Sequence, residues 1–539
     1  MPKGATRFLL KSTTSVIAIV VAIAGIVAGF RLAALSAGPH GEKPCPSILQ
    51  AGSDSSRELA TAASVATLEN LTWAQRGGTI NDASCLDRVH VYGIVEAHSV
   101  EDIARTLAFA QAKGLKVTAA GTRHSMGGQA FARGGIVLDM RRLNSMSLNA
   151  RTRTLTVESG ATWHDIQTYL HPRFAVRAMQ STDIFTVGGS ISVNAHGMDH
   201  QAGAMARSIK AMRVMRADGT VEDISRDTNR KAFDMIVGGY GLFGIILEAD
   251  LDVADNSIYR TGRRVIDYKD FPEVFAKDIE ANPAVGLTYL HLSTAPSSLL
   301  REAILYTYTQ VDEPDAKVSA LGEVGATGLR RLMLNLSKQH ALLMELKWLA
   351  EKYIEPKLES CTVTRAGALG SGEACLVSRN DPMHDSVAYL RNDLANDTDI
   401  LHESFIPRDR FVPFVDGLRQ ILSENRANLL NASVRVVDAE DNFLSYAPQK
   451  AFSIVLYINQ TTDEDGNRRM RKVTGELIEL TLAHGGRFFL PYQLHYTPEQ
   501  LRRSYPQIAE FFAAKREYDP REVLTNTFYR TYAEAIGPR

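Results

Sequence analysis

Three glycine clusters, each set against a run that reads as a β-strand, constrain this chain more than any other feature of its sequence. The first is Gly121-Thr122-Arg123-His124-Ser125-Met126-Gly127-Gly128-Gln129-Ala130, which follows a short strand expected at 116–120. The second is Thr186-Val187-Gly188-Gly189-Ser190 with Asn194-Ala195-His196-Gly197 close behind. The third is Gly238-Gly239-Tyr240-Gly241-Leu242-Phe243-Gly244-Ile245-Ile246. A single glycine run marks only a tight turn or a close backbone approach. Three in order predict several backbones converging on one extended ligand.

In the first cluster the small residues let consecutive N–H groups turn toward one centre, as a peptide does when it cradles a pyrophosphate. The spacing is not the G-x-G-x-x-G dinucleotide fingerprint, and no helix signal opens there. His124 lies inside this nest, against whatever ligand the nest holds. The plainer alternative is a turn histidine bonded to backbone.

Around these clusters the chain reads as alternating strands and capped helices. Ser99 with Asp102 resembles a capping box, Ile103, Leu107 and Ala110 supply the apolar stripe, and Gly114 suits the helix stop. Residues 154–158 alternate as a strand, and Asp218-Gly219 joins two strands as a hairpin. Beyond 252 the pattern predicts few strands, then helix over 313–358, then mixed structure over 405–458 and a capped helix at 498–515. Asp183 reads as a turn or cap residue. Arg207, Lys210, Arg213 and Arg216 read as a solvated strand face.

With 539 residues the chain is too long for one core of ordinary size. The expected fold is α+β in two parts. The division is a membrane anchor at 1–35, a stalk and entry segment with a short helix at 36–81, a first unit at 82–255, a second at 256–500, and a C-terminal helix and tail at 501–539. Sixty basic residues against sixty-one acidic leave a formal charge of −1, which gives no footprint for nucleic acid. Four cysteines (Cys45, Cys85, Cys361, Cys375) lack metal-ligand spacing, so no metal is expected. Cys361 and Cys375 are either a pair or two free thiols.

Lys3, Arg7 and Lys11 precede an uncharged apolar run at 12–30, closed by Arg31. Nineteen residues at helical rise span about 28 Å, close to bilayer thickness. A retained single-pass anchor is expected, the alternative being a signal cleaved near Ala34-Leu35-Ser36. The basic flank favours a cytoplasmic N-terminus and a catalytic body on the non-cytoplasmic side.

Residues 82–255 resemble the FAD-binding (PCMH-type) domain of flavoproteins of the vanillyl-alcohol-oxidase type. The loop from Gly121 to Ser125 is similar to that of aldonolactone and alditol oxidases. Gly127 to Ala130, with Gly134-Gly135-Ile136-Val137-Leu138-Asp139-Met140, is similar to cytokinin dehydrogenase. His196-Gly197-Met198-Asp199-His200 resembles decaprenylphosphoryl-ribose oxidase. The resemblance implies that Ala120, Gly121, Thr122, Arg123, His124, Ser125 and Met126 hold FAD, with His124 bonded covalently to the flavin. It extends the flavin contacts to Thr186, Gly188, Gly189, Ser190, Asn194, His196, Gly197, Gly244 and Ile245.

A looser resemblance covers 400–535. Glu403-Ser404-Phe405-Ile406-Pro407-Arg408 and Val434-Arg435-Val436-Val437 look like the antiparallel-sheet substrate domain of the aldonolactone and alditol oxidases. Arg435 matches a substrate-side arginine there. Ser433 stands where those enzymes are often acidic, and Leu490-Pro491-Tyr492-Gln493 where they carry a lysine. Tyr492, Gln493 and Arg435 are the catalytic candidates. The tail through Leu524-Thr525-Asn526 resembles the family's return to the flavin domain.

The implied activity is removal of a hydride from a C–H bond next to a hydroxyl, on a sugar, polyol or lactone. Electrons would pass to oxygen or a quinone-like acceptor. Two alternatives stand beside it: an oxidoreductase acting on a membrane-borne, lipid-linked substrate, and a non-catalytic flavin-binding protein.

Overall fold

The computed structural model describes residues 71–312, 317–322, 327–354, 363–364, 375–384, 392, 394 and 396–537. The expected anchor at 12–30 and the short helix of the entry segment lie outside the described residues. Among the described residues no helix is long and apolar enough to cross a membrane.

Strands β1 (Trp73–Arg76), β2 (Gly93–Glu96), β3 (Val117–Ala120) and β4 (Ile136–Asp139) form a sheet in the order β1-β2-β4-β3. The last three run parallel. α1 (Val100–Lys113) carries the chain from β2 across to β3, leaving room between them for β4. The Asp102 N–H donates to Ser99 Oγ at 3.2 Å, and Gly114 closes the helix in the left-handed conformation. Ile103, Leu107 and Ala110 pack on Val117, Ile136 and Leu138, so the predicted stripe is the packed one.

A second sheet is antiparallel: β5 (Met146–Asn149), β6 (Thr154–Glu158), β7 (Ile209–Met215), β8 (Val221–Ser225) and β9 (Ile245–Asp255), in the order β8-β7-β9-β6-β5. The β7–β8 hairpin turns through Gly219 at φ +88°, as Asp218-Gly219 predicts. Helices α2 (Trp163–Leu170) and α3 (Val187–Ser192) pack into the same core as this sheet, through Trp163, Ile166, Val187 and Ile191.

The chain beyond 252 is not strand-poor. β10 (Ile258–Asp267), β11 (Val285–Leu292) and β12 (Glu302–Val311) follow at once. Arg260, Arg263 and Arg264 break the apolar alternation that would mark β10. Pairing with β12 along all ten residues holds it as a strand nonetheless. Arg263 sets its guanidinium over the Tyr306 ring, 5.5 Å from its centroid. Among the described residues of 313–358 the helices are α4 (Thr327–Ser337) and α5 (Ala341–Tyr353), and Lys317–Val318 is a strand instead.

β13 (Leu376–Ser378), β14 (Asp397–Pro407), β15 (Asn428–Val437), β16 (Ala451–Thr461) and β17 (Arg487–Phe488) complete an eight-stranded antiparallel sheet ordered β13-β10-β12-β11-β15-β16-β14-β17. Helices α6 (Phe411–Glu424) and α7 (Glu464–Ala483) cover one face of it. Phe414, Leu418, Val473 and Leu477 meet Leu290, Val434, Ile454 and Leu456 there. Because side chains alternate along a strand, the opposite face presents the intervening residues. That face points back at the glycine clusters.

The predicted helix at 498–515 is two helices, Pro498–Ser504 and Ile508–Tyr518. Pro506 lacks an N–H and disfavours helix at Tyr505 before it. The tail then returns as the resemblance implied: Leu524 bridges Val117 in parallel, and α8 (Thr527–Ile536) follows. A buried ion pair holds this return. Lys515 Nζ meets Asp519 Oδ2, which also accepts the Leu524 N–H at 2.9 Å. Burial lowers the Lys515 pKa, and Asp519 opposes that. Asp519→Ala leaves a buried ammonium unpaired, so it should cost ~3–5 kcal/mol of stability, read as a lower urea midpoint. An unchanged midpoint would show that the tail does not depend on this pair.

Cys85 and Cys375 are each disulfide-bonded, so the free-thiol alternative does not hold for Cys375.

Candidate active site

The uncovered face of the eight-stranded sheet and the three glycine clusters enclose a cavity of about 530 Å³. On the sheet side, His291 of β11 pairs with Ser433 of β15, Ser433 with Val455 of β16, and Val455 with Glu403 of β14. All four line the cavity in one cross-strand row. Arg435 lies two residues along from Ser433 on the same face. It stacks on the Tyr289 ring and donates to Ser181 Oγ at 2.7 Å.

The opposite wall contains the first loop. Ala120, Gly121, Thr122, Arg123, His124, Ser125 and Met126 all line the cavity. Arg123 is left-handed at φ +58°, the alternation that turns neighbouring N–H groups to one side. The Met126 N–H donates to the Pro491 carbonyl at 2.7 Å. A Cβ on Gly127 would lie 2.3 Å from the Tyr492 carbonyl, so a side chain would separate the loop from the Tyr492 segment. His124 Nδ1 stands 3.1 Å from Thr122 Oγ1, and its ring meets Phe185 edge-on at 4.7 Å.

Between the two walls Glu403 gathers three partners. His196 Nε2 stands 2.6 Å from Oε1, Tyr492 donates its hydroxyl to Oε2 at 3.1 Å, and Ser453 Oγ donates to Oε1. Burial works to raise the Glu403 pKa, but His196 and the two hydroxyls outweigh it and hold the carboxyl below its usual range. Burial, reinforced by Glu403, pushes the Tyr492 phenol well above its ordinary value. Phe405, Tyr446 and Phe489 surround the His196 ring. His196 Nδ1 is buried and meets no partner among the described residues. Glu403 was not among the residues singled out from the sequence, and it is the centre of this network.

Residues 91–225 match a family model described as an FAD binding domain. Decaprenylphosphoryl-β-D-ribose oxidase of Mycolicibacterium smegmatis is 29% identical over 222 residues, 40% of this chain and 48% of that protein. Cytokinin dehydrogenase 2 of Arabidopsis thaliana is 30% identical over 209 residues, 37% of this chain and 41% of that protein. L-gulonolactone oxidase of Mus musculus is 28% identical over 184 residues, 32% of this chain and 41% of that protein. The chain carries an FAD binding domain. It spans less than half the length of each of these relatives.

The first loop of the FAD binding domain suits this cofactor. Among the described residues no acceptor stands opposite the N–H groups of Gly121, Thr122, Arg123 or Ser125, and orphan donors clustered on a cavity wall suit pyrophosphate oxygens. Thr186, Gly188, Gly189, Ser190, His196, Gly244 and Ile245 line the same cavity. Four other candidates stand behind the wall instead. Asn194, left-handed at φ +49°, accepts the Ala206 N–H and offers its carbonyl to the Tyr446 hydroxyl, which sets the backbone leading to His196. Gly197 allows close contact, since a Cβ there would lie 2.1 Å from the Met179 carbonyl. Asn526 caps α8 and donates to the Tyr240 carbonyl at 2.8 Å, tying the tail to the third glycine cluster. Gln493 is buried and absent from the cavity wall.

Asp183 does sit in a turn, but its side chain does more than shape it. It is buried, with His164 Nδ1 at 3.0 Å and His384 Nδ1 at 3.4 Å, and the two imidazoles are stacked. Such a trio could hold a metal ion. However, His384 Nδ1 also faces Gln167 Oε1 at 3.2 Å, an acceptor only, so that nitrogen carries hydrogen and does not ligate. The cluster reads as a hydrogen-bonded clamp between α2 and the 381–384 turn.

Proposed function

We propose that this protein is an FAD-dependent oxidoreductase acting on a C–H bond next to a hydroxyl, in a sugar, polyol or lactone-type substrate. The observation that carries this reading is the Glu403–His196–Tyr492 network in the cavity wall. Oxidising H–C–O–H to C=O removes one hydride and one proton. FAD, when bound, supplies the two-electron acceptor for the hydride. The proton goes to the Glu403–His196 pair, with the ionised Glu403 carboxylate as the base. Tyr492 donates to Glu403 and keeps its orientation. Arg435, supported by Tyr289 and Ser181, binds the oxygenated part of the substrate.

His124 carries the flavin covalently in this reading, and oxygen or a quinone-like compound takes the electrons. Anaerobic mixing of the purified protein with a panel of sugars, polyols and lactones should bleach the flavin with at least one of them. A folded, flavin-loaded protein that no compound of these classes reduces would defeat the proposal.

The body belongs on the non-cytoplasmic side, with the run at 12–30 as its anchor. Support comes from the basic flank and from the disulfides at Cys85 and Cys375, which persist outside the reducing cytosol. Carbonate-washed membranes from intact cells should retain the chain. Cysteines alkylated without reduction would contradict that location.

A further inference from the structure

Helix α5 is amphipathic in the reverse sense. Its charged side chains turn into the protein. Glu345 accepts the Ser297 N–H and hydroxyl, each at 2.7 Å. Lys347 pairs with Glu351 at 2.6 Å, Glu351 faces His291 at 3.3 Å, and Lys352 pairs with Glu302 at 2.9 Å. Burial works to raise the Glu351 carboxyl, but Lys347 and His291 hold it down at about 2.

The outward stripe is Leu342, Leu346, Leu349 and Tyr353, spaced i, i+4, i+7 and i+11, and they are 69%, 47%, 45% and 62% exposed. Ile354 and Leu336 of α4 extend it. These six make up most of the exposed large apolar side chains among the described residues, where they would ordinarily be scattered singly. A helix that places its leucines outward and its charges inward is matched to an apolar surrounding.

The geometry points to a second membrane contact: the apolar face of the α4–α5 hairpin docks on the lipid bilayer to which the run at 12–30 tethers the chain. Three observations favour lipid as the occupant. The chain supplies its own 19-residue uncharged apolar run. The forty residues at 31–70 reach at most ~130 Å when fully extended, so a tethered body samples the bilayer surface continuously. The stripe mixes leucines with a tyrosine and carries no charge, the composition of a helix face lying at the acyl–headgroup boundary. Glu351 of α5 and Arg330 of α4 line the cavity, so docking would set the cavity beside the membrane. This inference rests on the reading of 12–30 as an anchor and not on the flavin chemistry, and loss of the chain from the vesicle fraction would count against the anchor alone.

The test uses the full chain reconstituted in phosphatidylcholine vesicles, with an environment-sensitive fluorophore at Leu346→Cys. A control carries it at Val221→Cys, an exposed site on β8. Lipids spin-labelled near the top of the acyl chains should quench the probe at 346 by about half or more and leave the probe at 221 unchanged. Leu342→Glu with Leu349→Glu should abolish quenching at 346 while the chain stays in the vesicle fraction. Equal, weak quenching at both sites would overturn the proposal. So would a blue-shifted probe at 346 that lipid quenchers never reach, because the face would then be covered by protein.

Discussion

Denatured in acid, the wild-type protein should carry its flavin colour into the precipitate, and His124→Ala should release all of it to the supernatant. His124 sits in the cavity wall within the loop whose orphan N–H groups suit the cofactor's pyrophosphate. Thr122 and Phe185 fix its ring on two sides, which holds the imidazole ready for a bond to the flavin's ring methyl. A neutral imidazole nitrogen is the nucleophile such a bond requires. The competing residue is His196, the other histidine in the flavin-side wall. Its Nε2 is committed to Glu403 and three aromatic rings enclose it. His196→Ala should therefore leave the colour in the precipitate. Wild-type flavin found entirely in the supernatant would reduce His124 to a contact. Release by His196→Ala alone would mean the bond is on the other histidine.

The loop around His124 was readable in the sequence because its signal is local. Glycines, a preceding strand and small residues fall within ten positions, and each meets its structural counterpart there. The α1 caps and the Asp218-Gly219 hairpin were readable for the same reason. Glu403 was not. Its importance comes from a register that brings β14, β16, β15 and β11 side by side across residues 285–461, and pairing of that range leaves no mark within one strand. One clue was present: along β14, Ile400, His402, Ser404 and Ile406 share one parity, and a carboxylate on the other parity needs a partner of its own. Pairing likewise made a strand of β10, whose arginines hid it. The helical texture of α5 was visible, but which of its faces looked outward depended on Ser297, His291 and Glu302 far away in the chain.

The largest effect on turnover is expected from Glu403→Gln, a change that keeps size and removes charge. In the wild type the Glu403 carboxylate lines the cavity, held ionised against His196 Nε2, as the base for the substrate proton. A glutamine amide carries no negative charge and is no base for that proton. The base is then lost though every atom around it remains. Flavin reduction measured anaerobically should slow by about 10²–10⁴-fold, with substrate affinity much less changed. Tyr492→Phe removes one hydroxyl from the same carboxylate and should cost about tenfold or less. The Glu403 carboxyl is held below its ordinary range, so it stays ionised as pH falls through that range and protonates only at lower pH. Its contribution to stability is therefore present above the unfolded-state pKa and lost as pH drops through the folded one. Consequently Glu403→Gln should lower stability near neutrality and narrow the gap from wild type in acid. A variant that reduces its flavin at the wild-type rate would remove Glu403 and His196 from the chemistry and leave them as packing.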